Sequence, residues 1–108
     1  CVVDVFVVNN HGRTALHCAA FSGHLEVVQF LLGHKVSVDV DVRETNGNTP
    51  LHEAACTGHL DIGHPEIVRW LVESCGAEVR TTNAHQRTAL HWSCLRGHME
   101  IVQFLCLE

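Results

Sequence analysis

Histidine and cysteine are the residues whose chemistry stands out in this chain: ten histidines and six cysteines among 108 residues. Two kinds of site follow from those types. One is a transition-metal centre, for which imidazole and thiolate are the usual ligands. The other is a thiolate nucleophile activated by a nearby imidazole. His52 with Cys56, and His91 with Cys94, are spaced about one helical turn apart and would leave a helix on the same side. A structural zinc site, however, requires four converging ligands at short spacings, and no such set is visible. The cysteines are Cys1, Cys18, Cys56, Cys75, Cys94 and Cys106, and no two form a CxxC pair. A Cys–His pair also needs a third, orienting group and a cleft. There is no GxSxG, GxGxxG, HExxH or phosphate loop. These residues therefore point to no catalytic group, no metal ligand set and no cofactor.

Most of the histidines belong to elements that recur. Thr14-Ala-Leu-His17, Thr49-Pro-Leu-His52 and Thr88-Ala-Leu-His91 align, each followed by small residues (CAA, EAAC, WSC). A Gly-His comes next, and then an apolar phrase: EVVQFLL, EIVRWLV or EIVQFLC. The threonines are 35 and 39 residues apart. Six histidines are thereby assigned: His17, His52 and His91 in the first motif, and His24, His64 and His98 in the second. His11, His34, His59 and His85 lie outside both.

Each unit reads as a helix pair. Thr14, Thr49 and Thr88 suit N-caps, because a hydroxyl can accept from the free N–H groups of a first turn. Pro50 falls at the first helical position, where a missing N–H costs nothing. The first helix is expected over about Ala15 to Ser22, ended by Gly23. The second is expected over about Leu25 to Leu32, with Glu26 near its positive end and Gly33 as its stop. Leu25, Val28 and Leu32 form its apolar stripe, widened by Val27 and Leu31. Phe30, Trp70 and Phe104 share one register position and are expected to stack in the core between units. The cysteines are expected to be reduced and packed as small hydrophobes.

The combination of TxLH, GHxE(V/I)V and the period resembles the ankyrin repeat, whose signature is T-P-L-H-x-A at about 33 residues. The resemblance spans essentially the whole chain. It implies an all-α repeat solenoid of helix-turn-helix pairs joined by β-hairpin-like fingers. The units are a finger at 1–13, a first repeat at about 14–43, a second at about 44–82 and a third at about 83–108. In the fingers, Gly12 and Asn46-Gly47 suit tight turns. The third finger departs from the pattern, with Gln86 where the others have glycine. In the family the TxLH histidines hydrogen-bond within and between turns.

The doubled phrase TGHLDIGHPEIV, Thr57 to Val68, follows from the same alignment. Gly58 fits the count for ending the first helix, and His64 opens the second. This leaves an insertion near 59–63, carrying His59, Leu60, Asp61 and Ile62 as possible contacts. It reads first as a tolerated surface loop.

By resemblance, function resides in a groove lined by finger tips and the exposed face of each first helix. Carried over position by position, the first repeat contributes Asn10, His11, Arg13, Phe21 and Ser22. The second contributes Thr45, Asn46, Asn48, Glu53, Cys56 and Thr57. The third contributes Ala84, His85, Arg87, Trp92, Leu95 and Arg96. Phe21, Trp92, Leu95 and Arg96 are the expected anchors, since aromatic and arginine side chains dominate interface energetics.

Composition agrees with a protein partner. At 46 % hydrophobic and 18 % charged the chain reads as globular. A net charge of −5 argues against a nucleic-acid surface, and no apolar run reaches the length of a membrane span. The expectation is a non-catalytic scaffold for another protein or peptide, cytoplasmic or nuclear, with no nucleic-acid or membrane contact. Neither end of the chain is polar, which suggests a fragment of a longer array or end-to-end self-association through uncapped repeats. The alternatives are a regulatory ankyrin segment of a larger enzyme or channel, and a metal- or redox-responsive His/Cys module.

Overall fold

A threonine and a histidine three residues apart start each first helix. In the computed structural model, which describes residues 8–33, 39–56 and 64–106, the Thr14 and Thr88 hydroxyls accept from the backbone N–H of His17 and His91. In return each histidine Nδ1 accepts the threonine's own backbone N–H, at 3.2 and 3.0 Å. Thr49 and His52 repeat the exchange, with the returning bond at 3.0 Å. This is the reciprocal capping box with imidazole in place of the usual Glu or Gln. Because donors face Nδ1, the ring proton sits on Nε2. That nitrogen leaves the turn and reaches the next repeat. His17 Nε2 donates to the Asn48 carbonyl at 3.0 Å, and His52 Nε2 donates to the Arg87 carbonyl at 2.9 Å. Burial pushes the pKa of both rings below the usual histidine value, so they remain neutral.

The helices run α1 (Ala15–Ser22), α2 (Leu25–Gly33), α3 (Pro50–Cys56), α4 (Pro65–Cys75), α5 (Ala89–Arg96) and α6 (Met99–Cys106). α1, α3 and α5 stack on one another as an inner layer, and α2, α4 and α6 back them as an outer layer. The result is an elongated body of 40 × 26 × 25 Å. Leu16, Leu51, Ala19, Ala20, Ala54 and Ala55 fill the inner layer, while Val28, Ile67, Val68, Leu71 and Ile101 seal it from the outer one. No strand occurs among the described residues; the fingers are turns. Gly12 and Gly47 turn at φ +72° and +80°. Gln86 adopts φ +63°, so the third finger keeps the same turn without glycine. That conformation costs an L-residue about 1–2 kcal/mol. Successive fingers are joined by backbone bonds, Thr45 N–H to His11 O at 3.0 Å and Ala84 N–H to Asn46 O at 2.8 Å.

The second helices open alike. His24 N–H donates to Ala19 O, His98 N–H to Ser93 O, and His64 N–H to Ala54 O, at 3.1, 2.9 and 3.1 Å. The chain between those two positions is five residues longer in the second repeat. Residues 57–63, including Thr57, His59, Leu60, Asp61 and Ile62, lie outside the described residues. His64 also ties the first two repeats together, its Nε2 bonding the Phe21 carbonyl at 3.0 Å.

Four local expectations are corrected. Gly33 is the last residue of α2 rather than the residue beyond it. Val27 is 45 % exposed, although Ile67 and Ile101 at the same register position are buried. The Phe30–Trp70–Phe104 position is not uniformly core: Phe104 is buried, Trp70 half-buried and Phe30 66 % exposed. Phe104 faces back toward the preceding repeat, where Arg69 of α4 lies over its ring at 4.9 Å. Nor are the described cysteines buried: Cys18, Cys94 and Cys106 are exposed, and Cys56 and Cys75 are half-buried thiols.

Two outcomes test this framework. A Cβ on Gly23 would meet the His64 ring at a left-handed φ of +85°, whereas one on Gly97 (φ +73°) meets nothing within 4 Å. Gly23→Ala should therefore lower the unfolding free energy in urea by clearly more than the roughly 1 kcal/mol expected of Gly97→Ala. Equal losses would show that His64 does not sit against the turn. The lowered histidine pKa also has a sign. The neutral-ring contribution is complete above the unfolded value of 6.5 and is lost as pH falls through the lowered folded value. The stability gap between the wild-type chain and His52→Gln should shrink on acidification below 6.5; a gap that widens would contradict the assignment.

Candidate functional site

A carboxylate or amide five residues before each capping threonine shapes the finger. Asn9 Oδ1 accepts from the N–H groups of His11 and Arg13, at 2.9 and 3.0 Å. Asn83 Oδ1 does the same for His85 and Arg87, at 2.8 and 3.1 Å. In the second repeat Glu44 takes this role, its Oε1 accepting from Asn46 and Asn48 N–H. Glutamate has a second oxygen, and Glu44 Oε2 points at Arg13 Nε, 3.7 Å away. Glu44 lies outside the TxLH and GHxE motifs. The alignment of NNHGRT, ETNGNT and NAHQRT held the signal.

Arg13 lies between two acids, because Glu53 Oε1 is also 3.7 Å from its Nε. Both carboxylates are buried, while the Arg13 side chain retains 32 % of its exposure. Neither approach to Nε has hydrogen-bond geometry, so the attraction is coulombic only. Desolvation outweighs it and, with Glu44 adding repulsion, raises the Glu53 pKa to about 7. Glu53 was expected to line the groove. It is instead 3 % exposed, held inside α3 beneath the finger of the first repeat.

Around this buried cluster lies a continuous face. Arg13 reaches across the Phe21 ring at 5.7 Å, and Phe21 is 38 % exposed at the end of α1. Cys56 occupies the register position of Phe21 one repeat on. Burial raises its thiol pKa, although the nearby Arg96 and Arg13 guanidiniums favour the thiolate. Leu95 holds the same position in α5 and is 60 % exposed. Trp92 is half-buried beneath two guanidiniums, those of Arg87 at 5.4 Å and Arg96 at 6.0 Å. Arg87, Trp92, Leu95 and Arg96 line a cavity of about 310 Å³.

Of the anticipated residues, the structure therefore gathers Arg13, Phe21, Cys56, Arg87, Trp92, Leu95 and Arg96 on one side of the inner layer. Asn10, His11, Thr45, Asn46, Ala84 and His85 stand exposed on the finger turns, and Ser22 is exposed at the end of α1. Asn48 is committed to the fold: its N–H, carbonyl and Oδ1 bond Glu44, His17 and Asn83 respectively. No group of three or more His, Cys, Asp or Glu side chains arranged to hold a metal ion occurs among the described residues. No helix among them is long and apolar enough to cross a membrane.

Comparison with known proteins agrees with this architecture. A sequence profile described as ankyrin repeats (3 copies) matches residues 1–63. A second, described as ankyrin repeats (many copies), matches residues 63–105. The chain is similar to a serine/threonine-protein kinase of Mus musculus, TNNI3K, with 37 % identity over 103 residues. That alignment takes in 95 % of this chain but 12 % of the kinase.

The buried acid carries its own prediction. A carboxyl whose pKa is raised from 4.5 to about 7 supports the fold below 4.5, and that support is lost as pH climbs through 7. Between those limits the wild-type chain should lose stability that Glu53→Gln keeps, as read by urea denaturation of both across the range. Parallel pH profiles would mean that Glu53 is ionised throughout.

Proposed function

The chain belongs to the ankyrin-repeat family, and on that premise we propose that it is a non-catalytic scaffold for another protein or peptide. The partner lies along the side of the inner layer where finger turns and first helices meet. Repeats of this family typically have no catalytic role and mediate protein–protein interaction. One observation carries the reading: on α1 and α5 the position equivalent to Cys56 bears exposed Phe21 and Leu95, flanked by arginines. Apolar side chains held in the open beside cations resemble the anchors of interfaces more than solvated surface. Asn10, His11, Ser22, Thr45, Asn46 and His85 form the polar rim in this account, and Arg13, Phe21, Cys56, Trp92, Leu95 and Arg96 the centre. Thr57 and residues 59–62, which follow Cys56 in the chain, lie outside the described residues and carry no part of this reading.

The kinase similarity favours a second reading, in which the same face docks inside one polypeptide as a regulatory segment of a larger enzyme. The physics of the face is the same in both cases. End-to-end association would use the side of α5 lined by Arg87, Leu90, His91, Cys94 and Leu95, and would therefore compete with the groove for Arg87 and Leu95.

The test begins with a partner captured by pulldown and identified by mass spectrometry. Phe21→Ala, Leu95→Ala and Arg96→Ala are then measured singly against it by calorimetry. At least one should weaken binding by about 1 kcal/mol or more. If all three bind like the wild-type chain, the partner sits elsewhere.

A further inference from the structure

Charge on this fold is divided between its layers. The outer helices carry Glu26, Glu66, Glu73 and Glu100 against a single arginine, Arg69, all exposed. Among the residues of the inner helices the one carboxylate is Glu53, and it is buried. A chain of net charge −5 thus turns arginines, not acids, toward the groove. Arg13 is already engaged by Glu44 and Glu53. Arg87 and Arg96 make no ion pair among the described residues, and both rest on the indole of Trp92.

The Arg87–Trp92–Arg96 arrangement is rich in donors and lacks side-chain acceptors. Its cavity is lined by two guanidiniums, an indole and Leu95. The Trp92 indole N–H has no acceptor among the described residues. Stacking on the ring fixes both guanidiniums, so little rotamer freedom remains to be lost when an anion arrives. A guanidinium suits a carboxylate, which it can meet through two parallel hydrogen bonds. Leu95, 60 % exposed beside them, offers an apolar contact at the same place.

We propose that the groove of the third repeat recognises an acidic peptide segment, with one or more carboxylates on Arg87 and Arg96 and an adjacent aliphatic or aromatic side chain against Leu95 and Trp92. This rests on the scaffold reading above and adds the chemistry of the partner. Acidic segments are steered to this face and away from the glutamates of the outer layer.

Panning the whole chain against a displayed library of random dodecapeptides tests the assignment. Enriched sequences should place Asp or Glu next to Leu, Ile or Phe. A synthetic peptide of the enriched sequence should bind the Arg87→Gln/Arg96→Gln double variant about tenfold or more weakly. Circular dichroism and thermal melting verify that the variant is folded. Binding to the wild-type chain should also weaken steeply with added salt. Glutamine substitution at Glu26 and Glu73 on the outer layer should change affinity far less than the arginine substitutions do.

Several results would overturn the proposal. They are no enrichment over an empty support, enriched peptides without acidic residues, or equal binding by the double variant. Displacement by inorganic phosphate but not by acetate would identify a phosphate site instead and would equally overturn it. Leu95→Ala separates the two levels. Non-acidic peptides that lose affinity in Leu95→Ala remove the acidic specificity and leave the groove in place. Peptides indifferent to both Leu95→Ala and the arginine changes remove the groove as well.

Discussion

One imidazole in each of the first two repeats holds two things at once. Nδ1 of His17 or His52 closes the cap of its own helix, and Nε2 reaches the backbone of the next finger. The ring must be neutral for this, with one nitrogen accepting and the other donating, and burial keeps it so. Everything else in the array is placed by that link. It sets the offset between α1, α3 and α5, aligns the fingers so that Thr45 and Ala84 can bond their predecessors, and fixes which side chains reach the groove. Chemistry that first suggested metal ligation or nucleophilic catalysis is, in His17 and His52, spent on spacing repeats.

The functional face follows from one register repeated with different side chains. The position seven residues after each capping threonine carries Phe21, Cys56 and Leu95; the position four after it carries Cys18, Glu53 and Trp92. The backbone treats the three copies alike, while the side chains determine what each presents. At Glu53 the result is a buried acid between Arg13 and its own helix. At Trp92 it is an aromatic platform under two arginines. The repeats therefore share a scaffold, and the surface they share is chemically graded along its length.

Features set by local chemistry could be read directly from the residues. Thr14, Thr49 and Thr88 announce helix starts, Gly23 and Gly97 announce helix ends, and the shared register of Val28 and Val68 announces the buried side of the outer layer. Features set by a neighbour in space were harder. Glu53 occupies a groove position, yet its burial depends on Arg13 and Glu44 from other turns. Phe30 shares a register with Phe104, yet exposure depends on what stands beyond it. The described cysteines have the volume of buried hydrophobes, yet none of them is fully buried. Gln86 shows that a turn can keep its geometry after losing its glycine, because the Asn83 side chain and the backbone bond from Gln86 N–H to Asn83 O still close it.

The chain's two tryptophans make the account directly measurable, since Trp70 lies on outer helix α4 and Trp92 on inner helix α5. Their indole N–H signals in a 15N–1H NMR spectrum report separately on the two layers during titration with a bound partner or selected peptide. On binding, the Trp92 signal should shift together with the backbone signals of Phe21, Cys56, Leu95 and Arg96, while Trp70 stays in place. Shifts confined to Trp70 and its neighbours Arg69 and Glu73, with Trp92 unmoved, would place the partner on the outer layer and contradict this.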